Sequence, residues 1–182
     1  AIASGLREWY RADLGVVKDG SDKVTQWTDM SGNGSHVIQT AVPAQQPSWV
    51  PGALNGKPVI QFAGSTNLVT SASVDIHAAS SDQTVIAVIA PGATQTNWST
   101  ILDLSSRPSQ GFTLQQNGGQ TNQYRMWWTG NPAAGWKSSA GATAASGAGV
   151  QILSIVKNGT TASDYLDGAV QGAASVPANI QT

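Results

Sequence analysis

An all-β fold of two antiparallel sheets, packed as a sandwich or jelly roll, is what this sequence predicts, and three features predict it. Apolar residues alternate at period two rather than at helical spacing. Tight-turn pairs punctuate the chain, including Asn55-Gly56, Asn158-Gly159 and Asp167-Gly168. Such pairs suit type I′ hairpins, whose two central residues need positive φ. Finally, the strand signals are short and numerous, and at 182 residues the chain is sized for one β-sandwich domain spanning residues 1–182.

In chain order the predicted strands are Leu6 to Ala12, Val24 to Thr28, His36 to Gln39, Pro58 to Phe62, Asn67 to Thr70, Thr84 to Ala90, Ser99 to Leu104, Gly111 to Gln116, Gln123 to Thr129, Val150 to Val156 and Ser163 to Leu166. Trp9 and Trp27 sit inside strand signals and are assigned to the core. Thr84 to Ala90 has no polar face after Thr84, which predicts a central strand buried on both sides, with Val150 to Val156 as its companion. Between strands, Thr40 to Gly52 carries Pro43, Pro47 and Pro51 and reads as a long irregular connection. The Ala-, Gly- and Ser-rich run Ala133 to Gly149 reads as a mobile surface loop.

Charge is scarce. Only 10% of residues are charged and the net charge is -1, which argues against nucleic acid or anionic membranes as electrostatic partners. The absence of cysteine rules out a disulfide framework, a zinc-thiolate site and a cysteine nucleophile. Low Lys and Glu with abundant Thr, Asn and Gln is compatible with a secreted protein, which is the expected location.

One polar run stands out, Trp27-Thr-Asp-Met-Ser-Gly-Asn-Gly-Ser-His36. Gly32 and Gly34 accept positive φ, and the short side chains of Asp29, Ser31 and Asn33 bond their own backbone, so the run makes a compact turn. It is either a structural corner or a cation cradle. A calcium ion wants six to eight oxygens, and Asp29, Ser31 and Asn33 would supply three of them. His36, directly after the turn, is expected to make a structural hydrogen bond there.

These segments also carry a family resemblance. Trp9-Tyr-Arg-Ala-Asp13, Val24-Thr-Gln-Trp27, the Asp29 to His36 run, Leu54-Asn-Gly-Lys-Pro-Val-Ile-Gln-Phe62, the apolar strand at Thr84 and Tyr165-Leu-Asp-Gly168 stand in the order expected of laminin-G-like, concanavalin A-like β-sandwiches. The resemblance covers nearly the whole chain. It implies the concanavalin A-like jelly roll, a secreted carbohydrate-active or adhesive role, and structural Ca2+. Two departures accompany it. After Phe62 the family's acidic Asp-Gly-type turn is replaced by Ala63-Gly-Ser-Thr-Asn67, which has no carboxylate, and the further strands that follow the Asp-Gly hairpin in relatives are absent before Thr182. An absent closing strand would expose a sheet edge. The expectation is either a companion C-terminal fragment or adjacent domain of the same parent protein, or a short family variant.

Catalysis is constrained by the carboxylates. Glu8 is the only glutamate, and the Glu-rich strand motif of glycosidases on related sandwiches is absent. An Asp pair assembled from distant positions would need Asp103, which ends an apolar strand beside Ser105-Ser-Arg107. Its structural alternative is a turn cap or a pair with Arg107. A polysaccharide lyase would instead combine His36 or His77 with Tyr124 and Arg125 as base and carboxylate neutraliser. No GxSxG elbow and no metal-binding histidine pair is present.

Binding has stronger support. Seven tryptophans in so weakly charged a chain offer flat faces for the C–H side of a sugar, with Asn, Gln, Arg and Asp to read hydroxyls. The densest cluster is Asn122-Gln-Tyr-Arg-Met-Trp-Trp128. Strand alternation places Tyr124, Met126 and Trp128 on one side and Gln123, Arg125 and Trp127 on the other. The expected carbohydrate site is therefore Gln123, Arg125 and Trp127, with Trp98 and Trp136 entering from loops. The competing classes are a polysaccharide-degrading lyase or hydrolase using Asp103, Tyr124 and His36, and an adhesive module that binds protein.

Overall fold

The computed structural model describes residues 5–71, 82–93, 97–106, 110–116, 123–129, 137–138, 141–144, 147 and 149–176. The chain divides into two compact units, Ala1–Ile76 and His77–Thr182. Among the described residues every sheet is antiparallel and no α-helix is present, so the protein is all-β.

The first unit holds β1 (Val16–Lys18), β2 (Val24–Trp27), β3 (Val37–Ile38), β4 (Ser48–Leu54), β5 (Lys57–Gln61) and β6 (Val69–Thr70). One sheet runs β1-β2-β3-β6, and β4 pairs with β5 as a hairpin. The hairpin turn carries Asn55 at φ 49° and Gly56 at φ 74°, the two positive angles that a type I′ turn requires. Val24 is fully buried. The large aromatics are fixed by their polar ends: the Trp27 indole N–H donates to Arg11 O at 2.8 Å, and that of Trp49 to Ala12 O at 2.9 Å. Lys18 Nζ stands 3.8 Å from the Trp49 ring centroid, a cation–π contact that covers the ring.

Two expectations are corrected in this unit. Leu6 to Ala12 is not a strand. Its backbone groups go instead to the polar turn, where Trp9 N–H donates to Asp29 and the Leu6 and Arg7 carbonyls accept from Asn33 Nδ2. Trp9 is accordingly 46% exposed rather than core, with the Arg11 guanidinium 5.7 Å from its ring. The connection from Thr40 is also more ordered than its prolines suggest, since β4 begins at Ser48 and a 3-10 turn forms at Pro43–Gln45. Buried amides hold this connection: Gln46 Nε2 donates to Gln39 O, and Gln39 Nε2 donates to Asn67 Oδ1, both at 2.7 Å. Pro51 fits within β4 because the register shifts between Val50 and Leu54, where no ladder N–H is asked of it.

The second unit holds β7 (Gln83–Ile89), β8 (Thr100–Ser106), β9 (Gln110–Gln116), β10 (Gln123–Thr129), β11 (Lys137–Ser138), β12 (Ala142–Thr143), β13 (Gln151–Asn158), β14 (Thr161–Leu166) and β15 (Ala169–Ser175). One sheet runs β11-β10-β9-β8, with β12 also pairing with β10. The other runs β15-β14-β13-β7. Each buries one apolar face, Leu114, Tyr124, Met126 and Ala142 in the first and Leu153, Ile155 and Ala162 in the second.

The companion of β7 is β13, as its sequence suggests, but β7 is not central. Among the described residues it ends its sheet, and Ile86 and Val88 are 63% and 65% exposed. Ile152 lies directly opposite Val88, and with Val170 these side chains form an uncharged outer face. A strand that is apolar on both sides thus buries only the side of Val85, Ala87 and Ile89. The run from Ala133 to Gly149 is corrected as well: it contributes β11 and β12, and Ala142 and Ala144 are fully buried. At Gly141 an added Cβ would stand 2.9 Å from Arg125 Cγ, so a larger side chain would not fit there.

Because Ile86 and Val88 face outward, replacing both with threonine is expected to leave stability within about 0.5 kcal/mol of the parent, whereas Ile155→Ala on the buried face should cost about 3 kcal/mol. Urea denaturation of the two variants checks this, and a large loss in the threonine variant would mean that β7 is buried on both sides.

Candidate functional site

Strand pairing in the β8–β11 sheet assembles one polar-aromatic face. Directly opposed residues of an antiparallel pair share a face. Asp103 of β8 pairs with Thr113 of β9, and Thr113 with Trp127 of β10, so the three form a row across about 10 Å of sheet. In the next row, Thr100 pairs with Gln115 and Gln115 with Arg125. Gln123 follows, opposite Thr143 of β12. Asp103 is exposed, Trp127, Arg125 and Gln123 are half-buried, and Thr113 and Gln115 are buried.

Local contacts set the side chains. Arg125 Nε donates to Gln123 Oε1 at 3.0 Å, which lays the guanidinium along the strand. Gly141, just before β12, makes room for it: a Cβ there would stand 2.9 Å from Arg125 Cγ, from Arg125 Nε and from Gln123 Cδ, and its φ of +98° also favours glycine. The Gly141 N–H donates to Asp164 Oδ2 at 3.0 Å, so a fully buried carboxylate anchors the segment on which Arg125 rests. Thr113 Oγ1 donates to Leu102 O at 3.1 Å and ties β8 to β9 beside Asp103.

Trp98, in the turn before β8, lies against Trp127 with ring centroids 6.1 Å apart and planes at 56°. It is 53% exposed. The structure therefore brings together Gln123, Arg125, Trp127 and Trp98, and adds Asp103, Thr113 and Gln115 to them. Sequence reading misses Thr113 and Gln115 as neighbours of this cluster because their strand was recognised but its register was not. Trp136 and His77 lie outside the described residues. Tyr124 is buried on the opposite side of β10, with Met126, so it does not join Arg125. His36 belongs to the first unit, where its Nδ1 accepts from Asp29 N–H at 3.1 Å.

Asp29, Ser31 and Asn33 form a closed hydrogen-bonded corner. Asp29 is 5% exposed. Its Oδ1 accepts from the N–H groups of Trp9 and Ser31, both at 2.9 Å, and its Oδ2 from the Ser31 hydroxyl at 2.7 Å and Ser35 N–H at 3.1 Å. Four donors occupy the four acceptor positions of a carboxylate. Asn33 turns its amide nitrogen, not its oxygen, toward the Leu6 and Arg7 carbonyls. In this arrangement the Asp29 oxygens that a calcium ion would use already accept hydrogen bonds. Among the described residues no group of three His, Asp or Glu side chains is placed to hold a metal ion.

Burial alone would raise the Asp29 pKa, but the Ser31 side chain and the Ser31, Trp9 and Ser35 amides outweigh it and hold the carboxyl below its ordinary value. Beside it, Glu8 is pushed upward, first by burial and then by the Asp29 charge. Glu8 Oε1 is buried without a hydrogen-bond partner. Tyr10, whose hydroxyl donates to Ser35 O, is also raised by burial and then by the two carboxylates. The corner thus holds one carboxyl shifted below its ordinary value and one shifted above it.

Comparison with protein-family models, with curated proteins and with solved structures finds no match to this chain. The site is accordingly read from its own geometry.

Asp29→Ala orphans four donors and is expected to cost about 3 kcal/mol in chemical denaturation, while a chelator leaves the parent melting temperature unchanged. A chelator-induced drop would restore the ion to this corner. The two carboxyls give opposite pH trends. A lowered Asp29 contributes stability that is complete above the unfolded aspartate value and is lost as pH falls through its folded value. A raised Glu8 favours its neutral form, so its contribution is complete below the unfolded glutamate value and is lost as pH rises through its folded value. Glu8→Gln should therefore raise the melting temperature at pH 7 and have little effect near pH 4, as thermal melts across that range would show.

Proposed function

We propose that this chain is a carbohydrate-binding, lectin-like module of a secreted protein, with its site on the Trp127 face of the β8–β11 sheet. The observation that carries the reading is the placement of Trp127, Arg125, Gln123, Gln115 and Asp103 on adjoining rows of one face, with Trp98 against Trp127. Indole rings supply a flat apolar surface for sugar C–H groups, and planar amide, guanidinium and carboxylate groups pair with vicinal hydroxyls. The concanavalin A-like jelly roll resemblance in the sequence points to the same class of ligand.

Hydrolysis is the weaker reading, because it needs two carboxyl groups about 5–10 Å apart. The strands of this sheet contain one carboxylate, Asp103. A lyase built on Tyr124 and Arg125 is disfavoured by their placement on opposite faces of β10. Adhesion to a protein draws on a different feature, the outer face of Ile86, Val88, Ile152 and Val170, since contiguous exposed apolar surface marks interaction sites.

A glycan array with the parent chain and Arg125→Ala tests the assignment. Binding to a defined glycan that falls about tenfold or more in the variant is expected, the loss of a charge-assisted hydrogen bond. No binding on the array, or equal binding by both proteins, would reject this face as the site.

A further inference from the structure

Three features converge on the Trp98–Trp127 pair, and each is unfavourable in the chain by itself. Trp98 has φ 65°, in the left-handed region that bulky side chains avoid. Its ring is nevertheless 53% exposed, so packing against the core does not compensate for the strain. Trp127 has its indole N–H buried without a hydrogen-bond partner, although a buried indole ordinarily finds one. Strained residues of this kind cluster at active sites and ligand clamps.

The charge of the face narrows the ligand. Among the described residues on the rows of Trp127, Arg125 and Gln123, the ionisable side chains are Asp103 and Arg125, one of each sign. The remaining polar groups there are hydroxyls and amides. An acidic polysaccharide would meet a single cation and a nearby carboxylate, a combination that favours uncharged sugars.

Resting on the glycan-binding reading above, we propose that Trp98 and Trp127 form a two-ring clamp for an uncharged pyranose. Trp98 takes the apolar C–H face of the sugar, and Trp127 donates its unpaired indole N–H to a sugar oxygen at the ring edge. Trp98 lies in a turn outside every strand ladder, so its backbone can leave the left-handed region as the ligand enters and uncovers the Trp127 N–H. Asp103, in the same row as Trp127, accepts from a hydroxyl of the same chain.

Titration calorimetry with soluble β-glucan, galactomannan and polygalacturonate tests this on the parent chain, Trp98→Gly and Trp127→Phe. The parent should bind at least one neutral polymer and not polygalacturonate. Trp127→Phe keeps the apolar ring but loses the donor, and should weaken binding roughly three- to tenfold. Trp98→Gly should weaken it about tenfold by loss of stacking. Without ligand, Trp98→Gly should melt at or above the parent temperature, since glycine adopts this φ freely. If the parent binds none of the three polymers, the glycan reading falls and the clamp with it. If the parent binds a neutral glycan and either variant binds equally well, the clamp is overturned while the glycan reading stands. Preference for polygalacturonate overturns the uncharged ligand class. A Trp98→Gly melt several degrees below the parent shows Trp98 to be a packing residue and overturns its role as a strained clamp.

Discussion

The pairing of β9 with β10 is the constraint on which the candidate site depends. Side chains alternate across a strand with period two, so a slip of one residue would send Trp127 and Arg125 to the apolar side and bring Tyr124 and Met126 to the polar one. The observed register sets Leu114 against Met126 and Thr113 against Trp127. Burial of Tyr124 and Met126 against Leu114 resists such a slip, because a shifted β10 would expose both and set polar side chains against Leu114. The polar face is therefore held in place by the apolar face behind it. Gly141 extends the same logic to the next strand, since only a residue without a side chain lets β12 run beside Arg125.

A chain with so few charges organises its interior with amides and a small number of well-paired ions. Gln39, Gln46, Gln115, Gln116 and Gln151 are all buried, and Gln39 and Gln46 tie a connection that has no ladder of its own. The buried ions follow the rule that a desolvated charge needs hydrogen bonds. Asp29 has four donors, Asp164 accepts from the Gly141 backbone, and Lys157 donates to Gly159 O at 2.7 Å. Burial lowers the Lys157 pKa and the Asp82 charge opposes that shift, while Asp82 itself accepts from Gly159 N–H at 2.7 Å. One turn thus joins a buried cation and an exposed carboxylate through the backbone of a single glycine.

Legibility in the sequence followed the range of the interaction. The strand at Gln123–Thr129 and the alternation that separates Trp127 from Tyr124 are local properties, and both are visible in the order of residues. So is the Asn55-Gly56 turn, whose positive φ values depend on the two residues alone. Contrary to the expectation that no strand follows the Asp167-Gly168 hairpin, Ala169–Ser175 is one: its Ala, Gly and Ser residues carry little strand preference, and it forms by pairing with β14. The pattern around Trp9 fits a core strand, yet its segment gives its hydrogen bonds to a turn twenty residues away. A pattern of side chains does not reveal which backbone partner a segment will take.

The all-β class, most of the strands, the compact corner at Asp29 and the polar-aromatic side of β10 are legible in the order of residues alone. Each of these rests on period-two alternation or on turn residues that act within a few positions. Long-range pairing sets Asp103, Thr113 and Gln115 beside Trp127 and Arg125, brings Trp98 to Trp127 from a turn, and among the described residues leaves β7 at the end of its sheet with Ile86 and Val88 outside. Those outcomes depend on which strands pair and in what register, a choice made by burial and hydrogen bonding between segments far apart in the chain. The same distinction explains the Asp29 corner, whose oxygens look open to a cation in the sequence until distant N–H groups from Trp9 and Ser35 close around them.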